Sequence, residues 1–243
     1  MFIAEGVREV TRALDCGLAL HEFFICPTRA DDACRSLQSR VDSTVQVCEV
    51  ADPVLGKLSY RRDPQGVLAV FDQPRWRLAD FEASPSTDDL WLVAVGSIKP
   101  GNVGAMARTA SAAAASGLLQ ADAVVDAFNP NAICSSTGAV FSLPIIGGTG
   151  DEMLAFVRRR ELTVLAADPK ADETYRDADM TGPVAIVIGA EDRGLGGHWH
   201  EVEQARRVSI PIAPGPVDSL NASVAAAILL YEAARQRAEH RTC

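Results

Sequence analysis

The sequence predicts an α/β protein made of two consecutive strand–helix modules, and three observations predict it. Short apolar runs alternate with amphipathic segments over residues 1–72. A polar, proline-containing stretch follows at 73–88 and reads as a linker. A second and longer alternation starts at Leu90 and runs through 89–243, the pattern of a mainly parallel sheet.

The elements follow in order. Residues 2–20 read as a helix, because Phe2, Ile3, Val7, Val10, Leu14 and Leu18 recur at helical spacing. His21 to Cys26 reads as a strand, Asp31 to Arg40 as a helix, Thr44 to Glu49 as extended and Asp52 to Tyr60 as a short helix. A turn at Arg61 to Gly66 leads into the strand Val67 to Phe71. In the second part, Leu90 to Gly96 is apolar on both alternating faces, as in a strand covered on both sides. A loop from Ser97 to Gly104 then opens a helix that reaches about Ser116. Ala123 to Val125 is expected as a strand, followed by a loop and a helix that includes Ser136 to Phe141. Asp151 to Arg160 reads as a helix, Leu162 to Ala167 and Pro183 to Gly189 as strands. Val208 to Ile212 is a short strand, and the alanine-rich stretch from Ser223 to about His240 is the last helix. On that helix Val224, Ala227, Ile228 and Tyr231 share a face, which suits core or dimer packing better than a membrane surface.

Composition narrows the function. There is no run of about 18 apolar residues, so no membrane span is expected. The N-terminal residues lack the pattern of a signal peptide. The six cysteines at 16, 26, 34, 48, 134 and 243 form no CxxC pair, so reduced thiols in the cytoplasm are expected and zinc is not. A net charge of −9 argues against binding nucleic acid by general basicity. The acidity is uneven, however: residues 1–78 hold ten basic against eleven acidic residues, and the remainder thirteen against twenty-one. A polyanion should therefore meet the first third of the chain or a local arginine cluster, and Arg61-Arg62 is the best candidate there.

Three loops hold unusual polar content where a parallel sheet places its ligand loops, after strands. The first runs from Asn102 to Arg108, the second from Gly189 to Gly197, and the third from the turn at Pro211 to Asn221. Each has an ordinary reading as a turn or helix cap, and Ser219 or Asn221 is a good cap by residue type. The second loop is not a dinucleotide fingerprint, since Trp199 stands where a third glycine belongs, and no GxxxxGK[ST] occurs. His198-Trp-His200 has no partner cluster that would make it a metal site.

Together the loops resemble the motifs of the SpoU (TrmH-like) branch of the SPOUT RNA methyltransferases. The residues that carry the resemblance are Asn102-x-Gly104-x-x-x-Arg108-Thr-Ala, Ile188-Gly-Ala-Glu191-x-x-Gly194, Ile210-Pro-Ile and Ser219-Leu-Asn-x-Ser-x-Ala. Asn129-Pro-Asn and Ser136 to Pro144 also match, so the likeness covers 89–243. Residues 1–72 are more loosely similar to the RNA substrate-binding module often placed before such domains.

The resemblance implies a SPOUT domain with a deep C-terminal trefoil knot, S-adenosylmethionine as methyl donor, ribose 2′-O-methylation of RNA, and a homodimer whose active sites use both subunits. Ribosomal RNA is favoured as substrate over transfer RNA, presented as a loop or single strand with the target nucleotide turned outward. Knots are otherwise nearly absent from proteins, so the pattern of elements alone would not suggest one. The implied cofactor positions are Gly189, Ile210 and Leu220, with Leu165 and Ala166 at a strand end as weaker additions. A missing side chain at Gly189 would let backbone approach the ligand.

The implied catalytic set is Arg108, Asn102, Glu191, Ser219 and Asn221. Arg108 is either the base that takes the 2′-hydroxyl proton or a clamp on phosphate and developing charge; guanidinium ordinarily keeps its proton, which sets the first role against chemical habit. Asn102 would orient Arg108 or the ribose, Glu191 would fix the guanidinium, and Ser219 and Asn221 would line the site. One departure is Cys134, where many relatives carry arginine. A non-catalytic knotted RNA-binding or assembly protein is the competing reading, disfavoured because the five polar residues are all present.

Overall fold

A computed structural model of the chain describes residues 1–81, 86–96, 98–190, 194, 195, 199 and 205–241. The first module is a four-stranded mixed sheet in the order β1-β4-β2-β3, with β1 at Phe2–Glu5, β2 at Leu20–Ile25, β3 at Gln46–Glu49 and β4 at Val67–Phe71. Its helices are α1 (Val7–Asp15), α2 (Asp32–Gln38) and α3 (Asp52–Leu58). The expected helix over 2–20 is thus divided. Phe2 to Glu5 pair antiparallel with β4, and Gly6, with φ +91°, turns the chain into α1. A φ of +91° lies outside the right-handed helical region, so helix cannot run back through Gly6.

The second sheet has six parallel strands in the order β10-β8-β9-β5-β6-β7. They are β5 (Leu90–Val95), β6 (Gly117–Ala121), β7 (Ile145–Gly148), β8 (Thr163–Ala167), β9 (Val184–Ile188) and β10 (Arg206–Val208). Between them run α4 (Pro100–Ala112), α5 (Pro130–Ser136) and α6 (Gly150–Arg159), and the chain closes with α7 (Ala222–His240). The expected strand at Ala123 to Val125 is displaced to β6, which ends at Asp122 with φ +53°. The paired part of β10 ends at Val208, short of the expected Ile212.

Alternation along the central strands divides the core in two. Leu90, Leu92 and Ala94 of β5 face one cluster with Met106 of α4 and Leu229 of α7, whereas Trp91, Val93 and Val95 face another with Phe156 and Val157 of α6. Both faces are covered, as an all-parallel sheet requires.

The two modules share the first cluster. Phe2 lies 5.7 Å from Phe71 of its own sheet, but also 5.2 Å from Phe128 and 5.1 Å from Phe141 of the second module. The expected linker is also partly packed: residues Leu78–Phe81 form a 3-10 turn, and Phe81 meets Trp91 edge-on at 5.3 Å.

Helix α7 is tied down by a buried guanidinium. Arg237 donates to the carbonyls of Met180 (3.0 Å), Asp88 (2.7 Å), Asp89 (2.8 Å) and Gly182 (2.6 Å). Burial pulls its pKa down, and the nearby Asp88 pulls it back up. Arg237→Met would leave these carbonyls without their donor. We expect a loss of about 3 kcal/mol, from hydrogen bonds to a charged group, and a fall in Tm of roughly 6–12 °C at this chain length. Thermal unfolding by circular dichroism checks this; an unchanged Tm would refute the tie.

Candidate active site

The carboxyl ends of β8, β9 and β10 converge on one cavity of about 180 Å³. Ala167, Asp168 and Pro169 follow β8; Ile188, Gly189 and Ala190 end β9; Val208, Ile210 and Ile212 continue β10. Ser219, Leu220, Ala222 and Ala225 close it from the start of α7. Leaving edge strand β10, the chain crosses the ends of β8 and β9 to reach α4, against which α7 packs.

The wall is mostly apolar side chain and loop backbone. Asp168 is the charged residue among the described lining residues. Its carboxylate accepts the Lys170 N–H at 2.9 Å and lies 3.8 Å from Arg207. A mostly apolar cavity that presents one carboxylate among its described lining residues suits a ligand that combines apolar surface with positive charge.

Gly189, Ile210 and Leu220 are therefore brought together in this cavity. Leu165 and Ala166 are not: both lie buried inside the sheet, and the strand reaches the cavity through the three residues beyond them. The reason for glycine at 189 also differs from the expected one. A Cβ there would stand 2.3 Å from Gly194 C and 2.6 Å from Leu195 N, so its space is taken by the chain itself and not by a ligand. That return is held by Ala190 and Gly194, which exchange backbone bonds of 3.0 and 2.9 Å. Asp168 escaped the sequence reading, although its place just after an expected strand was the available signal.

The polar residues fall in two groups. Asn221 caps α7 by accepting the Ser223 N–H at 2.9 Å, and its own amide donates to Asn102 Oδ1 at 3.2 Å. Cap and site are thus one residue, joining the first and third motifs. Ser219 lines the cavity, its hydroxyl donating to Asp218 at 3.3 Å. Arg108 stands apart from them. It is exposed, and no described residue bonds it. Six residues separate it from Asn102, which places it roughly 9 Å further along α4 and about a third of a turn around. Among the described residues no bond joins Asn102 to Arg108. Glu191 lies outside the described residues, as do His198 and His200. Among the described residues no group of three or more histidine, cysteine or acidic side chains is placed to hold a metal.

Gly104 sits where α4 and α5 touch: a Cβ there would be 2.0 Å from Ser135 Oγ and 2.2 Å from the Ala132 carbonyl oxygen. The motif glycine is a packing residue. Arg61 is held by an ion pair with Glu9 at 3.4 Å, while Arg62 is exposed.

A parallel sheet whose strand ends hold an apolar cavity, beside an asparagine pair and an arginine that no described residue bonds, is the frame of a ligand-binding α/β protein. Comparison with known proteins gives the particular family. The family model described as the SpoU rRNA Methylase family matches residues 89–231, and the model for the MRM3-like substrate binding domain matches 1–69. The chain belongs to the SpoU rRNA methylase family and is an S-adenosylmethionine-dependent RNA methyltransferase. Among its relatives is the 23S rRNA (uridine(2479)-2′-O)-methyltransferase of Streptomyces viridochromogenes, 31% identical over 99% of this chain and 85% of that one. The crystal structure of the SpoU methyltransferase AviRb from the same organism, in complex with AdoMet, superposes with a TM-score of 0.87 at 30% identity, covering 98% of this chain and 90% of that one. The A. aeolicus TrmH/SpoU tRNA modifying enzyme aligns over 68% of this chain and 82% of its own, at 26% identity and a TM-score of 0.57.

Proposed function

We propose that the protein methylates a ribose 2′-oxygen of ribosomal RNA. The observation that carries the choice of RNA is the extent of the likeness. The 23S rRNA enzyme matches through both modules, whereas the tRNA modifying enzyme aligns over 68% of the chain.

The residues then divide the work. When bound, S-adenosylmethionine supplies a methyl group already activated on a sulfonium. The loops at Gly189, Ile210 and Leu220 would hold it through backbone and apolar contact, and Asp168 would favour its positive charge. The site would align a ribose 2′-oxygen with that methyl group, and the hydroxyl proton would leave to solvent or a nearby base. Arg108, exposed and unbonded among the described residues, is read as the clamp: it holds the flanking phosphate and offsets charge growing on the oxygen. Asn102 and Asn221 keep the start of α4 against the cofactor loop. Glu191 retains its proposed role beside the guanidinium.

We include the deep knot and the homodimer in this reading. The stripe of Val224 and Tyr231 faces outward from α7, 46% and 55% exposed, and suits burial against a second copy. A cytoplasmic setting accords with five unpaired cysteines among the described residues.

The test is methyl transfer from labelled S-adenosylmethionine to ribosomal RNA and to transfer RNA in parallel, with the product mapped at single-nucleotide level. One 2′-O-methylated ribosomal nucleotide is expected, made by a species of twice 25.9 kDa in equilibrium sedimentation. Transfer to tRNA alone would overturn the substrate, and an active monomer the assembly.

A further inference from the structure

A second groove, of about 160 Å³, lies where the two modules meet. Ile3, Leu58, Tyr60 and Arg61 form one wall, and Asn131 and Cys134 of α5 are on the other. Its volume is far too small to admit a duplex. Tyr60 is 58% exposed at the edge.

The turn that presents Tyr60 is fixed from below. Glu5 is buried, and its carboxylate accepts the Ser59 hydroxyl and the backbone N–H of Tyr60 (3.0 Å) and Arg61 (3.4 Å). Glu9, also buried, pairs with Arg8 at 2.6 Å and Arg61 at 3.4 Å. Arg61 in turn reaches Cys134 Sγ at 3.8 Å, which spans the gap between modules. Glu5 and Glu9 also line the groove, but the first is taken up by the turn and the second by Arg8 and Arg61, while Arg62 beside them is exposed, so arginine side chains stand next to Tyr60 on a chain of net charge −9. A rigid, exposed aromatic ring beside arginines is the platform on which unpaired nucleic-acid bases stack.

The position suits the reaction. One side of α5 borders this groove and another packs on Gly104 of α4, one turn before Arg108. Groove and Arg108 are thus separated by on the order of one helix diameter, about 10 Å, a span that unstacked RNA bridges in a few nucleotides.

We propose that this groove is a subsite for an unpaired RNA base flanking the methylated nucleotide, with Tyr60 as its stacking platform and Arg61 as the positioning cation. The assignment rests on the RNA methyltransferase reading above. It is tested on the full chain with a short fluorescent single-stranded RNA and with ribosomal RNA as methyl acceptor. Tyr60→Ala should weaken binding of the fluorescent RNA roughly tenfold or more. It should raise KM for ribosomal RNA similarly, with kcat, Tm and S-adenosylmethionine affinity unchanged. Tyr60→Trp should restore binding. RNA should also slow alkylation of the exposed Cys134 and leave that of Cys16, outside the groove, unaltered. Equal affinity of Tyr60→Ala and wild type, or unprotected Cys134 with RNA bound, would overturn the subsite. Wild-type protein that binds RNA at this groove yet transfers no methyl would count against the proposed reaction instead.

Discussion

Replacing Arg108 by alanine is expected to reduce methyl transfer to ribosomal RNA by about a thousandfold, at the upper end of what one preorganised donor contributes to a transition state. The fold should tolerate the change, because the side chain is exposed and no described residue depends on it. Cofactor affinity should hold as well, since Arg108 is absent from the cavity lining at the ends of β8, β9 and β10. A clamp further predicts that Arg108→Lys keeps a measurable part of the rate, because positive charge remains although the planar fork is lost. Single-turnover transfer measured beside calorimetric titration with S-adenosylmethionine separates these effects. Near-wild-type activity of Arg108→Ala would remove this residue from the mechanism.

Gly189→Ala should act in the opposite way, on donor binding before chemistry. The added carbon would lie 2.3 and 2.4 Å from the backbone of Gly194, where no flexible side chain can yield. Either β9 shifts or the Ala190–Gly194 pairing opens, and both move the cavity wall. Overpacking of this kind costs about 1–3 kcal/mol. If that cost falls on the loop that holds the donor, S-adenosylmethionine affinity drops by roughly tenfold or more. Calorimetry reads it directly, and unchanged affinity would show that the loop relaxes without touching the site. The comparison with Arg108→Ala is informative because one variant should bind the donor normally without reacting and the other should bind it less tightly.

The central strands were legible because burial on both faces leaves an unbroken apolar run, as in Leu90 to Val95 and Val184 to Ile188. At the N-terminus Phe2 and Ile3 fit a helical stripe, yet Phe2 and Ala4 equally fit a strand that faces the core. What decides between them is pairing with Val67–Phe71, more than sixty residues away. Strand β6 was missed for a similar reason: Gly117 to Ala121 is short and follows an alanine-rich helix, and its limits come from its neighbours in the sheet and from the backbone at Asp122.

For the site, the resemblance of three ordered loops to the SpoU motifs singled out Asn102, Arg108, Gly189, Ile210, Ser219, Leu220 and Asn221 as candidates. Loop chemistry is local, and its residues must be present in sequence whatever surrounds them. The partners are not local. That Asn221 bonds Asn102 and that Glu5 and Glu9 fix the turn bearing Tyr60 are contacts between segments far apart in the chain. By itself the sequence determined the α/β class, the order of the strands' loops and the residue types available for methyl transfer. Only the tertiary structure decided which of them meet, because buried polar groups and close backbone approaches are settled by packing between distant segments.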